Sequence, residues 1–361
     1  MSGIFGALGI ADSERAFVSV VGQKLVFDAV NFALDEHNKD LALATSVFVE
    51  RETEKFKMKY MLPGGGKLQE MGEFAAAAAV KAYGEWNVAF PLRQYGAQIG
   101  GSRVGLAYMT LQELDRHLKT VMEQDINVMR WRILTALFED TDLSWTDPIH
   151  GSLTIRRLAN TGGQTYPPVI GTESEADDDH YADTAYAISE ITATNNPIVT
   201  LRDEIIEHFR GRVTGGQNLV VFHNADATAY LAAISGYDPI HDIFVREGDD
   251  TAMPVNWPNV PGWVHGRLSG CWLSQWAWIP ATFMLAVSLD YPAPLMMRVD
   301  PAEVGLGRGL QLVAKTAEHP MESSHFEHRF GFGVGNRLNG AILSVTTSPA
   351  GTYAPPSAYA E

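Results

Sequence analysis

The densest run of side chains able to do chemistry is His319, Glu322, His325, Glu327 and His328. Imidazoles and carboxylates at such spacing can ligate a transition metal. The helical zinc-protease frame, however, needs two histidines four apart, and His325 and His328 are three apart, so the run reads as a polar turn. The glycine-rich stretches fail in similar ways. Gly64-Gly65-Gly66-Lys67 is followed by Leu68 instead of Ser or Thr, and Met61 stands where a phosphate loop has its leading glycine. Gly333-Val334-Gly335 and Gly305-Leu306-Gly307 have Leu338 and Leu310 where a dinucleotide fingerprint has its third glycine. In Gly266-Arg267-Leu268-Ser269-Gly270 the serine is one position off a nucleophile elbow. Glu173, Glu175, Asp177, Asp178 and Asp179 lack the calcium-loop pattern and read as a solvated loop. Trp257, Trp263, Trp272, Trp276 and Trp278 could stack on bases or sugars, but with no basic groove beside them a packed core or interface is the better reading. No catalytic, cofactor-binding or metal-ligating residue is assigned, and no cofactor is expected.

Composition narrows the class further. A formal charge of −16 over 361 residues argues against a protein that grips nucleic-acid phosphates directly, because that affinity comes from clustered Lys and Arg. Charged residues make up 19% and hydrophobics 46%, enough apolar surface for a large core in two or three lobes. The single cysteine, Cys271, excludes an internal disulfide and sits in an apolar run as a buried thiol. The first residues lack the basic and apolar regions of a signal peptide, and no stretch reaches the length of a membrane span, so a soluble protein is expected.

The elements are arranged around Thr110–Phe138. Leu111, Leu114, Leu118, Val121, Met122, Met129, Ile133, Ala136 and Leu137 recur at helical spacing, and Thr110 with Glu113 forms a capping box. Asp115 then lies near the positive end of the helix dipole, and Arg130 and Arg132 near the negative end. This predicts an unbroken helix of roughly 40 Å. Before it, Val18, Val21, Leu25, Ala29 and Phe32 predict an amphipathic helix over Ser13–His37, ended by Asn38 and Asp40. It packs on its own subunit or on a neighbour; pattern alone does not choose.

Between the two helices, Lys55, Phe56, Lys57, Met58, Lys59 and Tyr60 alternate in polarity, which predicts a strand; Pro63–Gly66 turns it, and a less regular return ends near Glu85–Pro91. An isolated hairpin is marginal in water, so it needs a surface to lie on. Beyond the long helix, Thr141–Asp147 is expected to turn, Gly151–Leu158 to form a strand and Asn160–Asp183 a polar loop. Thr200 with Asp203 is expected to cap a helix, followed by a strand at Asn218–Phe222 and a helix at Asp226–Ile234. Further strands are expected at Cys271–Trp278, Thr282–Ser288, Pro294–Val299, Gln311–Thr316 and Ala341–Thr347, ahead of an extended tail too poor in apolar residues to pack a core.

That order of parts resembles the major capsid proteins of tailed bacteriophages. Several phrases carry the likeness: LPGGGKLQEMGEF through WNVAFPLRQYGAQI, LQELDRHLKTVMEQDINVMRWRIL, NLVVFHNADATAYLAAI, GRLSGCWLSQWAWIP and HRFGFGVGNRLNGAILSV. The resemblance covers about Thr45 to Val345 and is one of layout and phrasing, since that family has no invariant catalytic motif. It implies an α+β chain of the Hong Kong 97-type coat fold. The implied parts are an N-terminal arm (1–44), an extended loop or E-loop with its return strands (45–101), and a peripheral domain with the spine helix 110–138 (102–196). An axial domain and return (197–300), closing peripheral strands (301–348) and a C-terminal tail (349–361) follow.

It also implies a structural, non-enzymatic role: self-assembly through pentamers and hexamers into an icosahedral head enclosing double-stranded DNA, a virion protein made in the host cytoplasm. Portal, scaffold and decoration proteins would be partners, with no membrane and no sequence-specific DNA binding. The hairpin Val49–Gly72 would lie over a neighbouring subunit, with Lys55, Lys57, Lys59, Lys67 and Glu70 as contact residues. Some family members form an isopeptide cross-link. Here it would join a loop lysine such as Lys67 to Asn336 or Asn339, though no pattern singles out a pair. Two other readings stand beside this one. An encapsulin-type shell around a cargo enzyme has the same fold, and an α/β enzyme would have its site in the tryptophan-rich lobe.

Overall fold

The computed structural model describes residues 17–21, 23–61, 70–71, 85–100, 108–159, 165–166, 176–177, 180–207, 218–240, 259–313, 323–347 and 353–361. In chain order, helices α1 (Val18–Val21) and α2 (Gln23–Thr45) lead into strands β1 (Val49–Thr53), β2 (Lys57–Met61), β3 (Glu85–Ala89) and β4 (Arg93–Gly100). The spine helix α3 (Leu111–Phe138) follows, then β5 (Leu143–Asp147), β6 (Gly151–Ile155), β7 (Thr165–Tyr166), β8 (Ala176–Asp177) and β9 (Tyr181–Asp183). Helix α4 (Pro197–Ile206), β10 (Leu219–His223), helix α5 (Ala225–Ala232), β11 (Asp238–Pro239), β12 (Trp263–Leu268) and β13 (Cys271–Gln275) come next. The last strands are β14 (Phe283–Ser288), β15 (Leu295–Arg298), β16 (Gln311–Val313), β17 (Ser323–Val334) and β18 (Ala341–Ser344).

A seven-stranded sheet runs in the order β11-β12-β13-β10-β14-β18-β9. Its central strand β10 is buried along its whole length, and its side chains divide with period two. Val220 and Phe222 join a core with the C-terminal half of α3, while Leu219 and Val221 join one with α4 and α5. In a second sheet β17 is flanked by β15, β16 and β4, with β1 added in parallel beyond β15. The 28 residues of α3 span about 42 Å, enough for its N-terminal half to pack on α2 and its C-terminal half on the seven-stranded sheet. Thr110 and Glu113 make the predicted capping box. Arg130 and Arg132 do not serve the helix end, whose last turn holds no basic residue. Its carbonyls are met instead by Glu139 N, Leu158 N and the Tyr353 hydroxyl.

The structure corrects several local expectations. Helix α2 passes through Asn38 and Asp40 to Thr45, because the Asn38 amide bonds to the backbone of Leu310 and leaves the helix uncapped. Its buried face is Val26, Ala29, Val30 and Leu34; Leu25 and Phe32 point outward, 42% and 60% exposed. Val49–Thr53 belongs to the body, parallel to β15, so the arm begins at Lys57. The expected turn at Thr141–Asp147 is strand β5, hydrogen-bonded to β6, with Leu143 and Trp145 sharing a face. Asn196 caps α4 with Pro197 behind it, ahead of Thr200 and Asp203. Strand β12, which carries no clear sequence pattern, turns into β13 through Ser269 and Gly270, both at positive φ as a tight hairpin requires.

Residues read as part of a polar turn lie in the 12-residue strand β17, where Phe326, His328, Phe330, Phe332 and Val334 form one buried face. His325 and His328, an odd number of residues apart on a strand, therefore face opposite ways and cannot converge on one ion. The tail also packs: Tyr353 and Tyr359 are buried in the main core. The two asparagines named as cross-link candidates lie inside the fold, and the expected loop of residues 160–183 lies largely outside the described residues.

Candidate functional site: the base of the hairpin arm

Strands β2 and β3 pair antiparallel from Lys57↔Ala89 to Met61↔Glu85, where the hairpin arm is expected to start; 62–69 and 72–84 lie outside the described residues. The base is fixed to the body from both strands. Val88 and Phe90 are fully buried, the Phe90 N–H donates to Phe56 O, and the Phe56 ring stacks on His150 with centroids 3.7 Å apart. Beneath it, Arg298 of β15 donates to Phe90 O at 2.9 Å and to Asp147 Oδ2 at 2.7 Å. Burial would raise the Asp147 carboxyl, but the Arg298 guanidinium and the N–H groups of Ile149 and His150 outweigh it and hold its pKa at about 2. One buried ion pair thus ties together β3, the β5–β6 hairpin and β15. Its members are 151 positions apart; the only sequence signal was a lone arginine closing the apolar strand Leu-Met-Met-Arg.

Of the predicted contact residues, Lys55, Lys57, Lys59 and Glu70 are exposed, and Lys67 lies outside the described residues. Along β2 the alternation puts Lys57 and Lys59 outward while Met58 turns toward the core around Val88. The nearby carboxylates Glu52 and Glu54 are taken by Arg308, at 3.1 and 2.5 Å. Lys55 and Lys57 thus lie outward on an acidic chain, and Lys59 beside them also has a contact within the chain. A second outward surface lies on α2, where Leu25, Phe32 and Leu43 share a stripe with Asp28 and Glu36.

Asn336 and Asn339 are fully buried. Asn336 Nδ2 donates to Pro292 O at 2.8 Å; Asn339 donates to Ser288 O and Pro292 O and accepts from Ser288 N. Their amides hold the β14–β15 turn. Two histidine clusters went unread in the sequence. Asp125 of α3 accepts from His37 and His328 at 3.0 and 2.7 Å, joining α2, α3 and β17. Desolvation opposes the Asp125 charge, but the hydrogen bonds from His328 and His37 outweigh it and lower its pKa. In the other lobe His223 and His265 face each other, Nε2 to Nε2 at 2.8 Å, with the Tyr237 hydroxyl 2.8 Å from His265 Nδ1. Burial pushes His223 down to about 4, so both rings are neutral at pH 7. Among the described residues no three His, Cys, Asp or Glu side chains are grouped to hold a metal ion, and no helix is long and apolar enough to cross a membrane.

No family model and no curated protein matches the chain. Solved structures do. A chain from a structure of Mycobacterium phage Patience superposes at a TM-score of 0.65 with 16% identity, covering 93% of this chain and 91% of that one. The capsid of a native GTA particle matches at 0.46 with 12% identity over 84% and 90% of the two chains. A virus-like particle from Pyrococcus furiosus matches at 0.42 with 10% identity over 88% and 99%. The first likeness alone is close enough to carry the fold. The chain has the α+β phage capsid fold that the order of its parts implied.

Proposed function

We propose that this chain is the major capsid protein of a tailed phage, assembling through hexamers and pentamers into an icosahedral head around double-stranded DNA. The observation that carries the reading is the end-to-end likeness of fold to a phage chain, over 93% of the sequence. The base of the arm is consistent with it: the β2–β3 strand pair is fixed to the body through Phe90 by the buried Arg298–Asp147 pair. The segmentation into arm, E-loop, peripheral domain, axial domain and tail follows from the same reading. So do the virion location and the portal, scaffold and decoration partners.

The net charge of −16 suits a container whose DNA is driven in and held by confinement, since a net-acidic subunit is poorly suited to gripping phosphate. Lys55, Lys57 and Lys59 then meet carboxylates of a neighbouring copy. Each exposed pair contributes only about 0.2–1 kcal/mol, but symmetry repeats it around every capsomer. Replacing all three by Glu should leave the thermal melt of the unassembled subunit unchanged and raise the concentration needed for assembly, read by sedimentation velocity. Assembly at the wild-type concentration would remove the lysines from the interface.

A further inference from the structure

The last nine residues behave like a bound peptide. Tyr353 and Tyr359 enter aromatic pockets: Tyr353 lies against Tyr181 of β9, and Tyr359 stacks on Phe138 at the end of α3. Both hydroxyls donate to carbonyls far away in sequence, Tyr353 to Phe138 O at 2.7 Å and Tyr359 to Trp278 O at 2.5 Å. The backbone between them is held too, with Trp131 Nε1 donating to Ala358 O and the Glu361 N–H donating to Glu139 Oε2. The Glu361 side chain then closes a socket of three guanidiniums. Arg93 and Arg132 reach Oε1 at 2.7 and 2.5 Å, and Arg157 reaches Oε2 at 2.6 Å. Arg157 is almost wholly buried with its Nε unbonded, and the Glu361 carboxylate is the main charge compensating it, with Glu139 adding a weaker field.

These groups come from β4, the C-terminal half of α3 and the segment after β6, while the tyrosine pockets belong to the seven-stranded sheet and its junction with α3. Two aromatic anchors followed by an acid in an arginine clamp is a recognition pattern of peptide grooves. We propose that the groove between α3 and the seven-stranded sheet is a peptide-binding site, specific for a tyrosine followed two residues later by a carboxylate. The chain's own tail fills it as an exchangeable strap. The docked strap joins the spine helix to the seven-stranded sheet, so filling the groove sets how those two parts are held. The socket and its occupant lie within one chain and do not depend on the capsid reading.

The test uses the 361-residue chain and a dye-labelled peptide of residues 352–361, amidated so that its one carboxylate is the glutamate side chain. Wild-type protein, with its groove filled, should leave fluorescence anisotropy unchanged. E361Q, with a weakened strap, should bind the peptide saturably at one per chain. A peptide carrying Gln in place of Glu should bind it at least about tenfold more weakly, the factor expected for losing just one of the three charge-assisted contacts. In wild-type protein, hydrogen exchange of the tail amides should proceed through local opening, faster than the core of β10. Folded E361Q that takes up neither peptide, or takes up both equally, overturns the proposal. So does exchange of the tail only on global unfolding, a readout that does not depend on any variant folding.

Discussion

At the scale of single residues, the groups that hold the arm are buried and charged, and acid should find them first. The folded pKa of Asp147 lies below its unfolded value of about 4, so its contribution is complete above that value and drains away as pH falls toward about 2. Asp147→Asn leaves Arg298 buried without its charge partner and should cost about 1.5–3 kcal/mol in urea unfolding at pH 7. The cost should shrink at pH 2; an equal cost at both pH values would remove the ion pair from the account. His223 acts over a milder range. Its pKa falls from 6.5 unfolded to about 4 folded, so the unfolded chain takes up the proton first and stability declines as pH drops from 6.5 to 4. His265 faces it and shifts the same way. His223→Gln should flatten that part of the stability profile, and an unchanged slope would place the titration elsewhere. None of this was legible beforehand. A lone histidine or arginine in an apolar strand gives no sign of a partner that is distant in the chain.

At the scale of elements, the spine helix was legible almost to the residue, because its capping box and apolar stripe are local patterns within one run of chain. Thr110→Ala removes the side-chain acceptor for Glu113 N and should destabilise the subunit by about 1 kcal/mol in thermal or urea unfolding. No measurable change would mean that tertiary contacts alone set the start of the helix. Helix α2 was legible as a helix but not in its facing. Leu25, Ala29 and Phe32 make as good a stripe on paper as Val26, Ala29, Val30 and Leu34, and only the packing of β17 and α3 chooses between them. Strand β17 was misread for a related reason. His325, Glu327 and Arg329 look like a turn until Phe326, Phe330 and Phe332 find a core on the other side.

At the scale of the whole molecule, what the sequence showed best was order: arm, hairpin, long helix, compact lobe and closing strands. Each phrase alone is weak, but together they constrain the topology to the observed fold. The tail was the main failure at this scale. Its Pro, Ser and Ala content reads as a linker, and Tyr359 and Glu361 gain meaning only once Trp278, Arg93, Arg132 and Arg157 have been brought together. The proposed shell rests on this scale as well. Electron microscopy of the purified protein after size-exclusion chromatography tests it most directly. The account predicts closed shells, or rings of five and six subunits, and DNA inside particles recovered from infected cells. A uniform monomer or dimer at every concentration and salt, even with a scaffold protein supplied, would contradict it.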